Sequence, residues 1–299
     1  MTLYTQVASN RRKTFLYLSF YVFLIIAIGA AVSWYYGDSA FLLIAAVISI
    51  VQGFISYYAS DSIALGVSSA EPLDQKQYGD VYKIVENLSI TAGLPMPRLF
   101  LIPDTAINAF ATGRDPKHAA IAITEGAITR LNSNELQGVL AHELSHVGNE
   151  DIRLMSMVMV MAGLIALVSD MFLRNMWWGG DRGNRDNNNN NNGIMLIVVI
   201  AVTVLAPIAA TLIQLAISRK REFMADANGV LLTRYPEGLI SALQKIGADE
   251  EPLEAANRAT AHMYIANPLH SHSLASLFDT LPPLEDRIAA LKKGSGLQA

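Results

Sequence analysis

His142-Glu143-Leu144-Ser145-His146 is the stretch on which the reading of this 299-residue chain turns. On a helix of 3.6 residues per turn, two histidines four apart lie on one face, so both imidazoles can reach one ion. Zinc is the expected ion. Its catalytic arrangement is three protein ligands and a water, and it lowers that water's pKa to about 7. Glu143, beside the first ligand, can take the water's proton and pass it to a leaving amine. With 6 histidines in the chain, chance would produce the pattern on the order of 0.005 times. The flanks support a helix. In Asn132-Ser133-Asn134-Glu135, Asn or Ser can take the first free amide, and Glu135 faces the positive helix end. Leu136, Val139, Leu140, Leu144 and Val147 then recur at helical spacing and seat one side in a core.

The rest of the composition points to a membrane. The chain is 52% hydrophobic and 16% charged, with mean hydropathy +0.31. A formal charge of −4 argues for no nucleic-acid partner. There is no cysteine, which excludes disulfides, thiol catalysis and thiolate metal sites. Thr14 to Tyr36 carries no charge and is long enough to cross a hydrocarbon core of about 30 Å. Ala40 to Ser60 is a second uncharged run, separated from the first by Gly37, Asp38 and Ser39, so a tight helical hairpin is expected. A cleaved signal peptide would be shorter, would end at a small-residue site and would not run at once into another span. Arg11, Arg12 and Lys13 precede the first run, which places the N-terminus and the chain after residue 60 in the cytoplasm.

Beyond residue 60 the pattern is that of a soluble domain. Asp74 to Leu94 reads as an amphipathic helix stopped by Gly93. Arg98 to Pro103 and His118 to Thr124 read as strands, with Asn108-Ala109-Phe110-Ala111-Thr112 as an edge segment. Such an edge can receive a peptide as an added strand. His118 reads as a strand-end histidine, not a ligand. After the motif, Leu154 to Leu173 is apolar except for Asp170 and reads as a third span, with a buried core helix as the alternative. Residues 193–218 form a stronger, uncharged span. Between them lies an Asn-rich loop ending in six consecutive asparagines.

Two histidines leave a catalytic zinc one protein ligand short. Arg219-Lys220-Arg221-Glu222-Phe223-Met224-Ala225-Asp226 follows the fourth run and reads as helical. Glu222 can offer the ion a carboxylate, and Asp226, one turn on, can accept a hydrogen bond from the far nitrogen of a ligating histidine. Alone, the two acids would read as a charged helix face.

With these two motifs, the paired N-terminal runs and a two-span insertion between the motifs, the chain resembles the HtpX-type membrane zinc metalloproteases, relatives of the Ste24 prenyl-protein proteases. The resemblance covers nearly the whole chain and includes Asn108-Ala109-Phe110-Ala111-Thr112-Gly113, similar to the family's segment along the cleft. It implies zinc bound by His142, His146 and Glu222, Glu143 as general base, and Asp226 as partner of His142. It also implies a gluzincin-like fold, membrane or misfolded proteins as substrates, and a plasma (inner) membrane location with a stress-linked role in quality control. Asn108, Ala109, Phe110 and Arg287 are the expected substrate contacts, although Arg287 reads more easily as a structural salt bridge than as a catalytic cation. One departure stands out: Leu281-Pro282-Pro283 replaces the family's usual His-Pro-Pro. His270, His272 or Arg287 are the groups that could act in place of that histidine.

The expected architecture is α+β and mainly helical, with about four membrane spans. Its parts are an N-terminal hairpin at 1–60, the first peptidase half at 61–151, a second hairpin at 152–218 and the second peptidase half at 219–299. The expected partners are a bilayer and unfolded or membrane proteins, with the oligomeric state left open. A silent zinc-binding scaffold and a narrow processing peptidase for lipid-modified substrates are the rival readings.

Overall fold

Two apolar helices lead the chain, α1 at Leu3–Tyr36 and α2 at Ala40–Tyr58, and both are long and apolar enough to cross a membrane. Phe15, Phe23, Trp34, Leu43 and Phe54 on them are at least 62% exposed, a surface that lipid covers at no cost and water does not. The computed structural model describes residues 3–178, 218–256, 259–268 and 281–296. The expected fourth span up to residue 217, the Asn run, His270 and His272 lie outside them.

Past a short α3 at Ser60–Val67, the chain forms a four-stranded sheet: β1 at Glu71–Pro72, β2 at Arg98–Ile102, β3 at Ala109–Thr112 and β4 at Ala120–Thr124. The order is β1-β2-β4-β3, with β2 and β4 parallel and the outer pairs antiparallel. All five residues of β4 are buried, because its two faces serve two cores. Ile121 and Ile123 join Leu136, Val139, Leu140 and Leu144 on one side, while Ala120 and Ala122 join Phe110, Met155 and Met159 on the other. The period of two in Ala-Ile-Ala-Ile thus divides large from small side chains between the layers. β3, the sheet edge, lies against the helix carrying the two histidines.

α4 runs over Gly79–Ala92 and starts five residues later than the spacing suggests. Asp74 holds the intervening turn, its carboxylate accepting from the Lys76 amide at 2.9 Å and its carbonyl from the Tyr78 amide at 2.9 Å. Gly93 closes the helix with φ +65, a left-handed conformation that glycine takes without strain.

Three further helices frame the site: α5 at Glu125–Arg130, α6 at Ser133–Gly148 and α7 at Asp151–Trp178. The stretch expected as a third span lies on α7, and its first half is packed in protein. Leu154, Val158, Met161 and Ile165 surround Tyr21 of α1. After residue 218 come α8 at Arg219–Thr233, α9 at Pro236–Gly247 and α10 at Leu284–Ser295. Gly138 lets α6 cross α9 closely, since a Cβ there would lie 2.7 Å from the Leu239 amide nitrogen.

Candidate active site

α6 is anchored by its capped start and by its buried apolar face. At its start the Asn132 carboxamide accepts from the amides of Asn134 and Glu135, both at 3.0 Å, and Glu135 accepts from the Asn132 amide at 2.8 Å. This reciprocal cap satisfies amides that a helix start leaves free. Glu135 also takes Ser241 Oγ at 2.6 Å and Lys245 Nζ at 2.7 Å, tying the cap to α9. The apolar face from Leu136 to Val147 is buried. The opposite face therefore has one direction left, and it points both histidines at α8.

His142 and His146 are buried, with their Nε2 atoms 3.2 Å apart. Glu222 of α8 closes the third side, its carboxylate 3.6 Å from His142 Nε2 and 3.8 Å from His146 Nε2. All candidate ligand atoms lie within 4.8 Å of one another. Behind the rings stand two carboxylates. His142 Nδ1 is 2.9 Å from Asp226 Oδ1, and His146 Nδ1 is 3.2 Å from Asp151 Oδ2. These partners assign the ring protons to Nδ1, so both Nε2 lone pairs converge at 3.2 Å, an arrangement that a cation relieves. Two imidazoles and a carboxylate are the donor set that suits zinc.

Charge at the site is strongly organised. Burial alone would raise Glu222, but His146 nearby and a hydrogen bond to His142 reverse this and hold it down to about 2. Burial likewise works against ionised Asp226, and the Arg287 guanidinium overcomes it, leaving the carboxyl far below its usual range. Arg287 grips Asp226 with two donors, Nε to Oδ2 at 2.8 Å and Nη2 to Oδ1 at 2.6 Å, and is itself fully buried. Glu143 is the exception. Its carboxylate oxygens have no hydrogen-bond partner among the described residues, and burial pushes its pKa up to about 8. The Ala111 amide of β3 favours its charged form without aligning as a hydrogen bond.

The β3 edge is occupied by the chain itself. The Ile265 amide donates to the Ala109 carbonyl at 3.0 Å, Asn108 Nδ2 donates to the Ala266 carbonyl at 3.2 Å, and Phe110 forms an antiparallel bridge to Tyr264. Arg287 Nη1 donates to the Ile265 carbonyl at 2.6 Å. Arg287 thus spans from the Asp226 pair to this segment. Leu281 is also buried and lines, with Asn108, Ile265 and Ala266, a cavity of about 400 Å³ beyond the start of β3. His118 is exposed and bonded to Asp115 at 2.7 Å, away from the cluster.

Three features escape the sequence reading. Asp151 backs His146 from just past the end of α6, and an acid five residues beyond a ligand, where the helix must turn, is the signal for it. The pairing of Tyr264 to Ala266 with β3 has no local signal. His262 is the third, buried and bonded through Nε2 to the Met155 carbonyl at 3.2 Å. Burial, with Arg221 nearby, lowers its pKa from 6.5 to about 4. A native pKa below the unfolded value gives stability that is complete above pH 6.5 and is lost as pH falls from 6.5 toward 4, by about 3 kcal/mol in all. Melting curves from pH 7 to pH 4 should therefore fall more steeply for wild type than for His262→Phe.

The sequence profile of peptidase family M48 matches residues 75–295. The chain belongs to peptidase family M48. Protease HtpX homolog of Ligilactobacillus salivarius is 44% identical to this M48 peptidase over 97% of its length and 99% of the relative's. Protease HtpX homolog of Caldanaerobacter subterraneus subsp. tengcongensis is 43% identical over 97% of each chain. The crystal structure of S. mikatae Ste24p aligns with 96% of this M48 peptidase and 67% of that chain, at 17% identity and a TM-score of 0.48. The HtpX relatives and the family make the chain a membrane-associated metalloprotease.

Proposed function

We propose that this M48 peptidase holds one zinc ion on His142, His146 and Glu222 and hydrolyses peptide bonds within membrane or unfolded proteins at the cytoplasmic face of the inner membrane. The observation that carries this is the buried convergence of the two histidines and Glu222, with unpartnered Glu143 beside them. Zinc, when bound, supplies a Lewis acid for the scissile carbonyl and a water acidic enough to ionise near neutral pH. The residues do the rest. Glu143 accepts the water's proton and delivers it to the leaving nitrogen. Asp226 and Asp151 keep both rings in the tautomer whose Nε2 faces the ion.

Substrate adds as a strand to β3 by displacing Tyr264 to Ala266, which in this structure takes up the Ala109 carbonyl and the Asn108 carboxamide. Arg287, bonded to the Ile265 carbonyl, reaches the same position. The test is cleavage of an unfolded protein by the full chain in detergent, with and without a chelator. Cleavage that stops with the chelator and returns with zinc supports the reading. Cleavage of lipid-modified peptides alone would favour narrow processing, and zinc binding with no cleavage would favour the scaffold.

The proposed orientation places α1 and α2 across the bilayer with their connecting turn outside. Because the natural chain has no cysteine, single cysteines report sidedness cleanly. Lys83→Cys should react with an impermeant reagent only from the cytoplasmic side, and Asp38→Cys only from the other; the reverse labelling would invert the topology.

A further inference from the structure

His146 depends on a carboxylate that is itself held from far away in the chain. Asp151 Oδ2 faces His146 Nδ1, while Asp151 Oδ1 accepts from Asn10 Nδ2 at 2.6 Å. Asn10 lies on α1, 141 residues away, at the end of the helix that precedes its uncharged stretch. The same Nδ2 donates to the Asn149 carbonyl at 3.0 Å, and the side chain is 4% exposed. Asp151 is fully buried, and the Arg221 guanidinium stands farther off, its Nη1 3.6 Å from the same Oδ1. Asn10 is therefore the close side-chain donor on the oxygen that does not face His146.

The turn around Asp151 is held in the same way. Glu150 has φ +55, a left-handed conformation unfavourable for a residue with a side chain. Arg11 holds it with Nε on Oε2 at 2.9 Å, and Arg153 Nη2 adds a contact at 3.0 Å. Two adjacent residues of α1 thus grip the turn that follows the metal-binding helix, but only Asn10 touches the carboxylate behind the ligand.

We propose that Asn10 is a positioning residue for the metal site, acting through Asp151 on His146, so that the apolar N-terminal helix sets how tightly the site holds its ion. The amide fixes the rotation of the Asp151 carboxylate, and the carboxylate fixes the tautomer and tilt of the imidazole. Loss of such a partner behind a ligand typically lowers metal affinity by about 10–100-fold. This inference rests on the zinc reading of His142, His146 and Glu222.

The test is zinc affinity of the full chain in detergent, measured by competition with a chromogenic chelator, for Asn10→Ala, Asp151→Asn, the double variant and Arg11→Ala. Each of the first two should bind zinc about 10–100-fold more weakly, and the double variant no more weakly than the worse single one, because both act on one contact. Arg11→Ala, which loosens the turn without touching Asp151, should stay within about threefold of wild type. Additive losses, wild-type affinity in Asn10→Ala, or an equal loss in Arg11→Ala would each overturn the proposal. If Asn10→Ala does not fold, Asn10→Ser, whose hydroxyl is too short to reach Asp151, is read by the same criteria. Failure of the wild-type chain to bind zinc would instead overturn the site reading beneath it.

Discussion

Glu143→Gln is expected to keep its zinc and lose peptide hydrolysis by about a thousandfold or more. The substitution preserves volume and removes only the capacity to take a proton. Glu143 does not belong to the His142, His146 and Glu222 cluster, so metal content should equal that of wild type. Its oxygens make no hydrogen bond among the described residues, so little packing or bonding is lost with the charge. Burial, which pushes this carboxyl up to about 8, also means that a neutral amide suits the position and that the variant should melt no lower than wild type. Parallel measurements of zinc content, melting and cleavage separate these effects. A variant that cleaves within about tenfold of wild type would remove Glu143 from the role of base.

The second large effect is expected at Arg287. Arg287→Met removes both donors from Asp226 and the donor to the Ile265 carbonyl, in a place with no solvent to replace them. Breaking a buried pair from one side typically costs about 3–5 kcal/mol, because the remaining charge is left uncompensated. The melting temperature should fall accordingly, and Arg287→Lys should not restore it, since an ammonium cannot serve Asp226 through two parallel donors while reaching Ile265. Lys83→Met is the comparison. Its partner Asp80 is 94% exposed at the side chain, and loss of that pair should leave melting unchanged. An unchanged melting temperature in Arg287→Met would show that the buried pair contributes nothing to the fold.

Local features were the legible ones. The capped start of α6, its buried apolar face and the glycine stop of α4 each depend on residues within a turn or two of one another, so spacing alone exposes them. The strands β2 and β4 show in their apolar runs, but the reason β4 alternates, two cores meeting on one strand, is visible only once the helices are in place. The start of α4 was placed at Asp74, five residues early, because the turn that Asp74 holds ahead of the helix leaves no mark in the apolar spacing. Contacts between distant segments left no pattern. Nothing in the residues around Asn10 shows that it bonds to Asp151, and nothing around Tyr264 to Ala266 shows that this segment lies along β3. Arg287 was read as either a salt bridge or a substrate contact, and its fork on Asp226 is seen only when α10 is docked against α8.

The central claim is that His142, His146 and Glu222 together hold one catalytic zinc. The most direct test is the zinc content of the purified full chain, by elemental analysis after exhaustive dialysis, for wild type and Glu222→Ala. The expected result is about one zinc per wild-type chain and near-complete loss from Glu222→Ala at unchanged secondary structure. Equal zinc in both proteins, or none in wild type that nonetheless cleaves, would contradict it.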